Sequence, residues 1–548
     1  MSKEDIRYIA RFIVETNTPI AVGSGEKGLT VDRLIARDAN ELPYIPGTSL
    51  AGIVRHELDN NIEEGFTNNI FGYQGDGNDG QGSRINFSSA ILLADNGETV
   101  LEGLQKIDFT KNYYSYFKRL PERDHVRITH RGTADTLGHG KFDEQLVYKG
   151  TRFVFGIELE GTKADRANWN IILEVLHHPA LRIGAGTRKG FGQLNIIECK
   201  YTEIDLKENL KKYLTIASSL NNDVTTWEDY NVLDQENSNY HHYKVSLEPV
   251  DFFIFGAGIG DGDVDMAPKT EKYFEWNENT PSLSEEKILI PASSIKGALS
   301  HRVGYWYNKF NEITIESNMP EYNSLNNQEL IDSISELKEF NDKIKTFSKL
   351  FTKDFSEEKD VKIIKELKSD LEKKKEDILN VIVELRALNT GKLIEDSYLW
   401  EDYNQLLEKQ LNEFKELNPN VGELNKAVQE LFGYAKDSKK KNGLRGRFIL
   451  SDLYKNKSET KEKVFDHVAI DRFTGGGIEG ALYQEKAVMT NGFVLNIFVE
   501  INAFPDKTIK KAFEKALDDL VKGKLQLGGN VGKGHGAFTG SYELINAE

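Results

Sequence analysis

The sequence predicts an α+β fold built twice in tandem, and three observations carry that expectation. A set of motifs recurs in the same order in two halves of the chain, each half mixes strand-like alternation with helical periodicity, and a long helical stretch interrupts the second half alone. The segment PYIPGTSLAGIVRHEL at 43–58 returns as LIPASSIKGALSHRV at 289–303. After the first come Phe71-Gly72-Tyr73, GSRINFSSA, DHVRITHR from Asp124 and GAGTRKGFG ending at Gly192. After the second come Phe432-Gly433-Tyr434, GRFILSDLY, DHVAIDRF from Asp466 and GGNVGKGHG ending at Gly536. Five matches in register indicate a duplicated domain.

Each copy opens with an alternating strand, IRYIARFIVET or YKVSLEPVDFFIF, that runs into a Gly-rich loop. A proline and small residues then lead into SLAGIVRHEL or SSIKGALSHRV, where Ser or Thr is placed to cap a helix N-terminus. Strand-like runs follow (INFSSAILLA and FVFGIELEG; FILSDLY and FVLNIFVEI), and the helical stretches ANWNIILEVLHHPAL and DKTIKKAFEKALDDLV precede the closing glycine loops. This order predicts a sandwich of ferredoxin-like type, with helices on one sheet face.

The spacing between copies locates what differs. Pro46 to Pro291 is a shift of 245 (291 − 46) and Gly72 to Gly433 one of 361 (433 − 72), so the second copy carries 116 more residues between those points. That insertion, 311–430, has no proline between Pro320 and Pro419 and shows i, i+3, i+4 apolar spacing, as in DVKIIKELKSDLEKKKEDILNVIVELRAL. It reads as a helical hairpin or small bundle, a solvated arm or a docking surface. The expected organisation is a first domain at 1–206, a linker at 207–240 rich in Asn, Asp and Ser toward its end, and a second domain at 241–548.

Composition excludes more than it assigns. No apolar run reaches the roughly 18 residues of a membrane span, and no signal-type segment follows the N-terminus, so a soluble cytoplasmic protein without a membrane partner is expected. A single cysteine, Cys199, excludes an internal disulfide framework and reads as a half-buried strand thiol. The formal charge of −17 argues against indiscriminate coating of nucleic acid, yet leaves room for local basic patches at Arg182, Arg188 and Lys189 and along KDSKKKNGLRGR. The closing loops are not dinucleotide fingerprints, because strand-like QLNIIE and AFTGSYELI follow them instead of a helix. Their glycines permit close backbone approach, and Arg188, Lys189 and Lys533 within them are candidates for phosphate contact, with a plain structural turn as the alternative. The acidic loop GDGDVD lacks the distal Glu and flanking helices of a calcium-binding EF-hand.

Together, PGTSLAG or PASSIKG, FGY, the Arg-strand-Ser motif, DHVxIxR and the terminal glycine loop resemble the RAMP superfamily of CRISPR-associated proteins. The nearest likeness is to backbone subunits of type III effector complexes, here fused in tandem as in the type III-D group. The resemblance implies an RNA-recognition-type core with a projecting β-hairpin thumb in each copy, a guide RNA (crRNA), a complementary target RNA and neighbouring Cas subunits. It places the thumbs at 125–147 and 467–483, with Arg127, Arg131 and Arg472 near the RNA backbone. His125 and His467 at their starts are RNA contacts or packed, capping histidines. By the same resemblance Ser49, Arg55, Ser294, Lys296 and Arg302 of the two helix starts are RNA-binding candidates.

In target-cleaving members an aspartate before the proline motif carries the reaction, which implies Asp32 in LTVDRLIARD, with Asp38 a turn or cap residue. In the second copy Asp261, Asp263 and Asp265 are candidates, and Asp265 is favoured because Asp263-Val264-Asp265 echoes Thr30-Val31-Asp32. A lone carboxylate suits a weakly bound Mg²⁺ or Mn²⁺, so Asp32 and Asp265 are also the candidate metal contacts. The expected activity is target-RNA cleavage by a guide-binding backbone. The alternatives are a non-cleaving backbone and a guide-processing endonuclease relying on His125 or His139.

Overall fold

The computed structural model describes residues 5–26, 28, 31–61, 64–75, 79–128, 140–230, 239–313, 422–434 and 443–545. The chain divides into two compact units, one of Met1–Tyr307 with Lys426–Glu548 and one of Asn308–Asn425. Both copies of the repeat belong to the first unit, and the insertion expected over 311–430 lies mostly outside the described residues.

The first copy opens with β1 (Ile6–Thr16), whose alternation sends Tyr8, Ala10, Phe12 and Val14 into the core. Helix α1 (Gly47–Asn61) follows a turn where only glycine fits: a Cβ on Gly47 would lie 2.3 Å from the Phe87 carbonyl oxygen. Next come β2 (Ile85–Phe87), a hairpin of β3 (Glu122–Val126) and β4 (Lys141–Gln145), β5 (Arg152–Gly161), α2 (Arg166–His177) and β6 (Leu194–Asp205). The antiparallel sheet runs β6-β1-β5-β2. Phe12 stands opposite Phe155 with the rings stacked at 4.8 Å, and Trp169 of α2 stacks on Tyr8 at 5.8 Å. Leu50, Val54 and Leu58 of α1 join Ile172 and Leu173 of α2 in the same core, so both helices cover one sheet face.

The second copy comprises β7 (Tyr240–Pro249), a short hairpin of β8 (Phe274–Asn277) and β9 (Thr280–Leu283), α3 (Ala292–Phe310) and β10 (Phe448–Ile449). A long hairpin of β11 (Thr460–Ile470) and β12 (Gly477–Thr490), then β13 (Phe493–Glu500), α4 (Lys507–Val521) and β14 (Phe538–Leu544) complete it. Helix α4 starts where Asp506 accepts the Ile509 N–H at 2.9 Å. The sheet order β14-β7-β13-β10 repeats that of the first copy. In both, the fourth core strand lies beside the first and the third beside the second, an order compatible with the ferredoxin-like βαββαβ unit.

The stretch expected as a linker differs from a plain connection. A helix at Leu206–Thr215 and a strand at Glu228–Asp229 fold back on the sheet. Trp227, with Leu206, Tyr213, Ile216 and Val224, covers Ile9 and Ile204. Ile9 lies on the odd-numbered side of β1 between Arg7 and Arg11, and the Trp227 group buries it.

The two copies are joined by a polar and an aromatic seam. Arg123 of β3 is buried; it meets Asp452 and donates to Glu271 at 2.8 and 2.6 Å, both in the second copy. Glu57 of α1 accepts from Arg445 at 3.0 Å and from the Tyr240 hydroxyl at 2.7 Å. The aromatic part comes from an excess in the second copy. Gly23 bridges Ile35 and Gly256 bridges Pro268, a shift of 233 (256 − 23), whereas the proline motifs are 245 apart; the 12 extra residues (245 − 233) contain the β8–β9 hairpin. Phe274 on that hairpin is 3% exposed and sits within the core of the first copy, against Tyr113 and Phe117.

Candidate RNA interface at the feet of two hairpins

The two expected thumbs are antiparallel hairpins, β3–β4 and β11–β12. The second is longer at both ends than 467–483, with its strands paired from Thr460 to Thr490. Its turn exposes Arg472 and, at 99%, Phe473. In the first hairpin Arg127 is exposed and its N–H donates to Gly140, while Arg131 and His139 lie outside the described residues.

At the foot of each hairpin stands one aspartate. Asp32 Oδ2 accepts the Asp143 N–H at 3.3 Å, and its own N–H donates to Asp143 Oδ1 at 2.7 Å. Asp265 Oδ2 accepts the Gln484 N–H at 2.8 Å. The backbone continues alike in both: the Gln145 N–H donates to the Arg33 carbonyl at 3.1 Å and the Lys486 N–H to the Met266 carbonyl at 2.8 Å. Asp32 and Asp265 therefore occupy equivalent positions, 233 residues apart (265 − 32), each exposed beside the return strand of its hairpin with a buried valine, Val31 or Val264, before it. A shallow depression lined by Gly260, Gly262, Asp263, Val264, Asp265 and Gln484 adjoins the second.

The other second-copy aspartates are placed differently. Asp261 accepts from the N–H groups of Asp263 and Val264 at 3.2 and 3.3 Å and pairs with Lys486 at 2.5 Å, so it shapes the loop. The Lys486 hydrogen bond holds its carboxyl below the ordinary range. Asp263 is exposed on the rim of the depression. Asp38 accepts from the N–H groups of Asn40 and Leu42 at 2.8 and 3.0 Å, a turn role. Among the described residues no group of three or more His, Cys, Asp or Glu side chains is placed to hold a metal ion.

Sequence reasoning missed two buried carboxylates that organise these feet. Glu144 has no exposed surface; His125 Nε2 and Lys189 Nζ both lie 3.0 Å from its Oε1, and Arg33 lies 3.7 Å from Oε2. Glu485, equally buried, has His467 at 3.1 Å, His535 at 3.0 Å and Lys533 at 3.7 Å. Burial alone would raise the Glu144 carboxyl, but the imidazole of His125 and the ammonium of Lys189 outweigh it and hold it at about 2. Each carboxylate thus ties the DHV motif to the glycine loop. The signal lay in FDEQ and LYQE, which stand 341 apart (485 − 144), but a lone glutamate amid charged residues does not single itself out.

These contacts correct part of the expected phosphate-binding set. Arg188 is buried in the seam, donating from Nε to the Gly446 carbonyl at 2.5 Å and meeting Glu500 at 3.3 Å; burial pushes it down to about 10. His125 is 9% exposed and stacks on Phe142 at 5.0 Å, the packed alternative of the sequence reading. Lys189 is held at Glu144, whereas Lys533, though paired with Glu485, remains exposed. At the helix starts, Ser49 and Ser294 sit in the first turns, and Lys296 donates to the Phe432 carbonyl at 3.4 Å. Arg55 donates to Asn68 at 2.9 Å, and Arg302 donates to the Lys524 carbonyl at 2.7 Å with Asp519 at 3.6 Å.

Two copies of one fold, each with a hairpin and a glycine loop, match the RAMP superfamily model over residues 13–195 and 252–539. The chain belongs to the RAMP superfamily. None of the curated proteins searched matches it. RAMP membership marks a CRISPR-associated RNA-binding subunit, with RNA and other Cas subunits as partners in general. In this RAMP protein no described helix is long and apolar enough to cross a membrane.

Proposed function

We propose that the protein is a crRNA-binding backbone subunit of a type III CRISPR effector complex, of the fused type III-D kind, that positions complementary target RNA and cleaves it at two sites. The observation that supports this reading is the equivalent placement of Asp32 and Asp265, each exposed at the foot of an antiparallel hairpin.

The reaction fitting a lone exposed carboxylate is attack by the target's own 2′-hydroxyl oxygen on the adjacent phosphorus. The P–O5′ bond breaks and the departing 5′-oxygen takes a proton from water, leaving a 2′,3′-cyclic phosphate and a 5′-hydroxyl. Asp32 or Asp265 accepts the 2′-hydroxyl proton directly or through water, and the hairpin holds the strand in line. The oxygen donors of Asp32 with Asp143, and of Asp265 alone, suit a weakly held Mg²⁺ or Mn²⁺ that keeps most of its water and phosphate ligands. When bound, such an ion neutralises charge on the phosphorane. Arg127, Arg472 and Lys533 remain as backbone contacts, since each is exposed on a hairpin or glycine loop.

The test is cleavage of a labelled RNA complementary to the guide by the assembled complex with Mg²⁺ or Mn²⁺, comparing wild type, Asp32→Ala and Asp265→Ala, with crRNA retention measured alongside. Each substitution should remove one product and leave guide binding intact. Unchanged products, or none from wild type, would make the chain a non-cleaving backbone; loss only on changing His125 would favour a processing enzyme.

A further inference from the structure

The seam between the copies joins different faces of one fold. The first copy contributes Glu57, Arg123 and Arg188, and the second contributes Arg445, Gly446, Asp452 and Glu500. A contact between unlike faces leaves each face once unused, so repetition of the same contact would build an open chain of molecules. The unused counterparts can be read from the register. Arg123 opposes Glu144 in its hairpin and Phe465 opposes Glu485, so Phe465 stands where Arg123 does. Ala292 N–H donates to Asp452 and Gly47 N–H to the Ser89 hydroxyl, so Ser89 stands where Asp452 does.

The same comparison holds across the seam. Tyr73 pairs with Gln81 and Tyr434 with Leu444, which sets Gly82 at the place of Arg445. The helix motifs, shifted by 245 (302 − 57), set Arg302 at the place of Glu57, and the glycine loops, shifted by 344 (532 − 188), set Gly532 at that of Arg188. Both charge partners of the seam pairs Arg123–Asp452 and Glu57–Arg445 are thus absent from the outer faces, and one is reversed in sign. Gly190, whose added Cβ would fall 2.5 Å from Asp452, has as counterpart Gly534, with nothing within 4 Å.

We propose that the seam is coded by charge so that the outer faces of this chain, the Phe465 face and the Ser89 face, do not recognise each other. A copy of the chain meeting the Phe465 face would bring Ser89 toward a ring already in edge-to-face contact with Phe252 and His535 and overlain by Lys463. It would also lack the β8–β9 hairpin that seats Phe274 in the first copy. The inference is independent of whether either aspartate cleaves RNA.

Sedimentation velocity of the full chain over a hundredfold concentration range should show one species of monomer mass. Ser89→Asp and Phe465→Arg each install half of the missing pair at a partly exposed position. Each alone should stay monomeric, and an equimolar mixture should give a doubled mass, a 1:1 dimer capped at both ends. Should either variant melt far below wild type, Gly82→Arg mixed with Arg302→Glu, which recreates Glu57–Arg445, reads the same way. Wild-type growth into longer species would overturn the proposal, and so would mixtures that remain monomeric.

Discussion

At the residue scale, Glu144 and Glu485 carry the local order of the hairpin feet. The lowered titration of Glu144 has a sign. A carboxyl held at about 2 in the fold against about 4.5 in the unfolded chain contributes stability that is present above pH 4.5 and lost as pH falls through 2; at roughly 1.4 kcal/mol per unit this is on the order of 3 kcal/mol for Glu144. Glu144→Gln should lower thermal stability at pH 7 by an amount that shrinks steadily as pH is taken from 5 toward 2, in parallel melts of variant and wild type. A deficit unchanged by pH would mean that packing, and not the charge, is what the glutamate supplies. A second residue-scale expectation concerns Arg123. Arg123→Met leaves Asp452 and Glu271 buried without their cation, and removal of one partner of such a pair costs about 3–5 kcal/mol, readable as a drop in the urea midpoint.

At the element scale, the β8–β9 hairpin is a bolt from the second copy into the first. Trp276 donates to the Gly150 carbonyl at 2.7 Å and lies under Arg152 at 4.2 Å, and Gly150, with φ of +81°, leaves no room for a Cβ beside the Phe274 carbonyl. Phe274→Ala should cost about 3–5 kcal/mol, the range for emptying a buried aromatic site, measured by denaturant unfolding. The paired glycines offer a sharper comparison. Gly190 and Gly534 both have positive φ, so both resist a side chain, but only at Gly190 would it also strike Asp452 and Ala292. Gly190→Ala should therefore destabilise clearly more than Gly534→Ala in side-by-side melts, and equal losses would show that backbone strain alone is at work.

At the scale of the whole molecule, two copies of a small fold behave as one unit because the seam buries charges as well as rings. A net charge of −17 coexists with an RNA-binding family because phosphate contact depends on local cations, and Arg127, Arg472 and Lys533 are exposed on the hairpins and a glycine loop. Guide affinity should fall linearly on a log-log plot against salt, and Lys533→Ala should reduce the slope by about one if that lysine meets a phosphate, as checked by filter binding across a salt series.

What the sequence determined by itself was the duplication, the order of strands and helices in each copy and the family, because those rest on local periodicity and on motifs repeated in register. The echo of Thr30-Val31-Asp32 in Asp263-Val264-Asp265 was legible for the same reason, and the hydrogen bonds of Asp32 and Asp265 fall in the same register. Only the tertiary structure decided that Arg188 lies in the seam, that Lys189 and His125 turn inward to Glu144, and that the residues after Lys207 cover a sheet face. Each of those outcomes depends on a partner far away along the chain, Glu500 for Arg188 or Ile9 for Trp227. A basic or apolar residue looks the same in sequence whether it meets solvent, a phosphate or a buried carboxylate; the folded chain alone brings one of them within reach.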